Sequence, residues 1–218
     1  MVFNKRWLSV SIIVLMFILA FYFQIIIPKT GNTIVTAVDD QGRPIQQGSR
    51  FANIFALPVI ALAIYLLLNS LPRIAVYRRN LERFYRKFYG FKVIILLFLL
   101  IIYLVNLFPA LGVNLDSNYI LIPALALLFI YMGRVLKHIH RNFFIGIMTP
   151  WALSSDKLWD KTHRFGGSVL EVCGVFLLIS LLFPAIFLEI LVIALVAALV
   201  ITAIYSYLIF SRTHYHHH

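Results

Sequence analysis

Charge is scarce in this chain of 218 residues. Asp, Glu, Lys and Arg together make up 12% of it, about half the share of a soluble domain. Acids are scarcer still, eight against nineteen Lys and Arg. Cysteine occurs once, as Cys173 inside an apolar block, which excludes an intrachain disulfide and leaves the redox compartment open. What fills the space is apolar: 62% of the residues are hydrophobic, too many for a water-soluble core.

The apolar residues fall into six blocks, each near the roughly 20 residues a helix needs to cross a bilayer. They run from about Leu8 to Ile27, Phe51 to Leu71, Val93 to Ala110, Tyr119 to Val135, Gly167 to Phe183 and Ile186 to Phe210. The first is too long for a signal-peptide core of about 7 to 15 residues, and no small-x-small site follows it; it reads as an uncleaved helix. Pro58 lies inside the second block, where neighbouring helices can re-satisfy the freed carbonyl. Pro123 is placed in the first turn of the fourth, where a missing N–H costs little. Pro184 separates the last two blocks so closely that they form an antiparallel hairpin.

The net charge of +11 does not indicate nucleic-acid binding, because the basic residues sit in short connectors rather than on one soluble face. Counted by alternate connectors, sixteen of the nineteen lie on one side, and Lys29, Arg43 and Arg50 on the other. The positive-inside rule puts the sixteen, and both termini, in the cytoplasm. The expected fold class is therefore all-α: a multi-pass protein of the plasma membrane with six transmembrane helices.

The chain divides into an N-terminal two-helix unit (1–71) with an extracytoplasmic loop (28–50), helices three and four with a basic connector (72–136), and a loop with helices five and six (137–210). A tail (211–218) ends in His216, His217 and His218, which look like a purification tag. In the outer loop, Asp39 to Pro44 reads as a turn and Thr33 to Val38 as one strand of a short hairpin.

Information is densest between helices four and five. Thr149-Pro150 imposes an extended or turn conformation, and Ser154 can cap a new short interfacial helix with Asp156 in its first turn. On that helix Leu158, Thr162 and Phe165 share a face beside Trp159, while Lys157, Asp160, Lys161 and Arg164 face water or headgroups. By physics alone, Trp151 and Trp159 also suit interfacial belt aromatics and the bases suit topology signals.

The run Asn142-Phe143-Phe144-Ile145-Gly146-Ile147-Met148-Thr149-Pro150-Trp151-Ala152-Leu153, then Trp159 and Thr162-His163-Arg164-Phe165-Gly166-Gly167, resembles the signature of the Sdp-type immunity family of bacterial membrane proteins. Six helices with internal termini fit it. Gly42-Arg43-Pro44 to Leu57-Pro58 also resembles the family's companion N-terminal domain. Met148 stands where the family usually has arginine, and Ala37-Val38-Asp39 where it usually has a His-aromatic-Asn triplet. The resemblance implies a protein that protects its cell from a secreted peptide toxin and holds a transcriptional repressor at the membrane. It points to Asn142, Gly146, Thr149, Pro150, Trp151, Trp159, Thr162, His163, Arg164 and Gly167 as signature or partner-binding residues.

Glu171 is the other candidate, since an ionisable side chain within a span is a functional hypothesis by default. His163, Gly167 and Glu171 share a helix face, but His163 and Glu171 are about 12 Å apart along the axis, so a partner must be Arg164 or come from another helix. Asn106 and Asn69 read as helix-to-helix hydrogen bonders. A small proton-coupled transporter using Glu171, or a scaffold docking a repressor or anionic lipid through Arg73 to Lys92, are the alternatives. Nothing indicates an enzyme, a cofactor or a metal: Gly166-Gly167-Ser168 lacks a nucleophile elbow's spacing, and His138 and His140 point to different faces.

Overall fold

A computed structural model describes residues 6–27, 32–38, 43–74, 85–113, 115–143 and 145–215. Its helices are α1 (Arg6–Ile26), α2 (Arg50–Ile74), α3 (Tyr85–Leu107), α4 (Asn118–Leu136), α5 (Asp156–Ile179) and α6 (Phe187–Tyr215), with a hairpin of β1 (Thr33–Val38) and β2 (Pro44–Ser49) between the first two. Among the described residues, six helical segments are long and apolar enough to cross a membrane, from Trp7–Ile26 to Pro184–Thr213. Most of the turn expected over Asp39 to Pro44 (39–42), most of the basic connector (75–84) and the three terminal histidines lie outside the described residues.

Two compact units emerge: Met1–Asn69 with Lys92–Leu121, and Ser70–Phe91 with Ile122–His218. These units divide α3 between Phe91 and Lys92, whereas the three-part division read from sequence keeps helices three and four together. In the first unit Met16, Ala20 and Phe23 of α1, Ile34 of β1, Ile54 and Ala61 of α2, and Leu96 and Tyr103 of α3 form one buried cluster. No basic residue occupies the last turn of α1, so its orphan carbonyls take a cation from elsewhere. Arg50, 7% exposed, donates from Nη2 to Gln24 O (2.7 Å) and Ile27 O (2.8 Å).

The hairpin pairs Thr33 with Ser49 and Val35 with Gln47, then shifts register around Thr36 so that Ala37 faces Gln46. Helix α3 begins eight residues before the apolar block does and takes in the buried Lys92, whose ammonium lies over the Tyr65 ring, 5.9 Å from the centroid. A charge that reads as a boundary is accommodated by an aromatic face.

In the second unit, Pro123 is the sixth residue of α4 rather than part of its first turn. The larger correction concerns α5. No separate interfacial helix precedes it: Asp156 to Ile179 is one helix, capped not by Ser154 but by Ser155, whose hydroxyl accepts from Leu158 N at 3.2 Å. Ser154 lies in a 3-10 turn, Ala152–Ser154. The helix runs through Gly166-Gly167, although each glycine costs about 1 kcal/mol in a helix interior, because these positions admit close neighbours. A Cβ on Gly167 would lie 2.5 Å from Gly133 O, and one on Gly174 2.8 Å from Ala126 O, both on α4. The 3-10 turns Ser180–Leu182 and Pro184–Ile186 close the expected hairpin into α6.

Candidate functional site

The segment from Ile139 to Ser155 is irregular backbone, which is stable near a bilayer only when its polar groups find partners within the protein. They do so through the signature side chains. Asn142, 3% exposed, accepts from Ile145 N (2.8 Å) and donates to Ile145 O (3.0 Å) and His140 O (2.9 Å). One buried amide thereby fixes the turn from His140 to Ile145.

Next comes Gly146 at φ +129°, a conformation costly for any residue with a side chain. A Cβ there would collide with His163 Nε2 and come within 3.1 Å of Trp159 Cζ2. Its absence lets the backbone lie on the imidazole, and Ile147 N donates to His163 Nε2 at 2.9 Å. That nitrogen must be unprotonated, so Nδ1 carries the ring proton and donates to Trp159 O at 2.8 Å. The histidine is therefore consumed by two backbone groups. Trp159, fully buried, stacks on it (centroids 3.9 Å apart) and donates from Nε1 to Ile139 O at 2.7 Å. The loop is thus pinned at Ile139 and at Ile147 to two side chains one turn apart on a single face of α5.

Thr149 and Thr162 meet on a third helix. Ser206 of α6, 1% exposed, lies 3.2 Å from Thr149 Oγ1 and 2.9 Å from Thr162 Oγ1. Thr149 also accepts from Ala152 N (3.2 Å), opening the 3-10 turn that follows the exposed Pro150. Trp151 packs edge-on against Tyr207 (5.5 Å). Arg141 donates to Leu153 O (3.1 Å) and pairs with Asp156 at 2.9 Å. Together these contacts make a clasp that binds loop, α5 and α6.

Glu171 stands apart from the clasp, on the α4–α5 crossing. Lys137 Nζ reaches its Oε2 at 2.8 Å. The two glycines make this possible: a Cβ on Gly133 would meet Glu171 Cγ at 2.8 Å, and one on Gly167 would meet Lys137 Cγ at 2.6 Å. The partner does come from another helix, and it is Lys137 rather than Arg164, which is exposed and joins neither the clasp nor an ion pair among the described residues.

Asn142, Gly146, Thr149, Trp159, Thr162 and His163 converge as one structure, with Trp151 at its edge. Gly167 belongs to the helix crossing. Asn106 is a correction: it is exposed and makes no hydrogen bond among the described residues. Ser206 and Tyr207 escaped sequence reading because one serine in an apolar helix carries no motif; its four-residue offset from Thr202, also buried, was the available signal. Among the described residues no group of three His, Cys, Asp or Glu could hold a metal.

Six apolar helices, with an irregular segment hydrogen-bonded onto the last two, define a polytopic helical membrane protein. Residues 138–209 match the SdpI/YfhL protein family, which supports the SdpI-like assignment expected from the signature. The matched region contains the clasp, its Ser206 hub and Glu171, but not Glu171's partner Lys137 on α4. No curated protein and no solved structure matches the chain.

Proposed function

We propose that the protein is a non-enzymatic immunity or sensor protein of the plasma membrane, conferring resistance to a secreted antimicrobial peptide, with the clasp and both termini in the cytoplasm. One observation carries this: the signature side chains form a buried, internally bonded module, in the region that matches the SdpI/YfhL family. Such a module is built to hold a fixed shape between three elements. It positions its exposed surface for a soluble partner, a transcriptional repressor in the immunity arrangement, while the spans meet the toxin. The basic connectors, sixteen Lys and Arg against three, support the orientation.

The test is protection. Toxin-sensitive cells producing the inserted protein survive a cognate peptide, and His163→Ala at equal membrane level abolishes survival. Absence of protection by the wild-type chain against every cognate peptide tried would overturn the proposal.

A further inference from the structure

The second unit carries one cavity that the clasp does not use. It is a groove of about 590 Å³ between α5 and α6, lined by Phe165, Val172 and Phe176 on one side and by Ile193, Ala197 and Ile201 on the other. Two polar side chains in its wall are bonded to backbone carbonyls: Ser168 Oγ donates to Arg164 O (3.1 Å) and Cys173 Sγ to Ala194 O (3.6 Å). Nothing polar is offered to an occupant along its length. At one end the rings of Phe165 and Tyr205 stack 3.9 Å apart. Beyond that stack the α5 stripe continues to Lys161, with Arg164 beside it, and the α6 stripe continues through Leu208 to Arg212; all three cations are exposed. Asp160 is the exposed acid among them.

We infer that this groove is a binding site for one anionic phospholipid, an acyl chain lying in it and the phosphate held by Lys161 and Arg164. Length supports a single chain. From Phe165 to Phe176 the helix rises about 16 Å, and one leaflet of a roughly 30 Å hydrocarbon core is about 15 Å deep. Charge selects the headgroup: a phosphate without a compensating amine takes full advantage of two adjacent cations. The site is independent of the immunity function and would stand without it.

The experiment uses the full chain in nanodiscs of palmitoyl-oleoyl phosphatidylglycerol mixed with the matching phosphatidylcholine, with retained lipid counted by native mass spectrometry. One phosphatidylglycerol per chain is expected to survive release from the disc. Lys161→Glu with Arg164→Glu weakens its retention roughly tenfold or more, and Ala197→Phe, which fills the groove and leaves every charge in place, abolishes it. Equal retention of the two lipids, or retention unchanged by Ala197→Phe in a protein whose protease resistance matches wild type, would overturn the inference. So would capture of a hydrophobic helical peptide that Ala197→Phe blocks and the two charge reversals do not affect.

Discussion

In the unit built from α1, the hairpin, α2 and most of α3, the buried residues are mainly apolar, and the described ties between its helices include two long-armed cations: Arg50 on the end of α1, Lys92 over Tyr65. In the unit of α4, α5 and α6, the described contacts are short and directional. Backbones cross at Gly133 and Gly167, neutral hydrogen bonds from Asn142 and His163 hold the loop backbone, and Ser206 joins Thr149 to Thr162. Lipid is as apolar as leucine, so apolar packing alone discriminates weakly among arrangements of helices. A hydrogen-bonded clasp admits few. The unit with the family signature is the one whose geometry is dictated by direction rather than by bulk.

That contrast can be broken at stated points. The largest effect is expected from Trp159→Ala, which empties a fully buried site and orphans Ile139 O; a loss of about 4 kcal/mol in detergent-unfolding equilibria follows, with cleavage appearing in the 139–155 loop under limited proteolysis. Gly146→Ala comes next, at about 2 kcal/mol, because it strains the backbone and pushes on His163. In the other unit, Arg50→Ala is expected to cost about 2 kcal/mol by stranding the carbonyls of Gln24 and Ile27; hydrogen exchange there should rise at the end of α1 while the clasp stays protected. Ser206→Ala removes one hydrogen bond to the loop and one to α5 at about 0.6 kcal/mol each, and Ser206→Thr should restore part of this. Smallest is the Lys137–Glu171 pair, partly exposed: a double-mutant cycle with Lys137→Met and Glu171→Gln is expected to give a coupling below about 1 kcal/mol. A coupling of several kcal/mol would place that pair, rather than the clasp, at the centre of the unit.

Much of this architecture is legible in residue order. Six apolar blocks yield six spans, Pro184 marks the hairpin of the last two helices, and Thr33 to Val38 does pair as a strand. Asp156 sits in the first turn of its helix as expected, with the cap displaced by one residue to Ser155. Helix edges were misplaced where a charge or a glycine pair read as a boundary. Lys92 lies inside α3 and Gly166-Gly167 inside α5, the first made tolerable by Tyr65, the pair required by Ile147 and Thr202 at Gly166 and by α4 at Gly167. Asn106 reads as an interhelical donor because it is polar in an apolar run, yet it faces outward.

Composition and spacing by themselves determined the number of spans and the location of the informative loop, because bilayer thickness and helical rise leave little freedom. Which side chains meet was decided only in three dimensions. Hydrogen bonds and backbone crossings join positions from 16 to 57 residues apart, such as Ile147 with His163 and Thr149 with Ser206. A partner at that distance leaves no local periodicity from which it could be read.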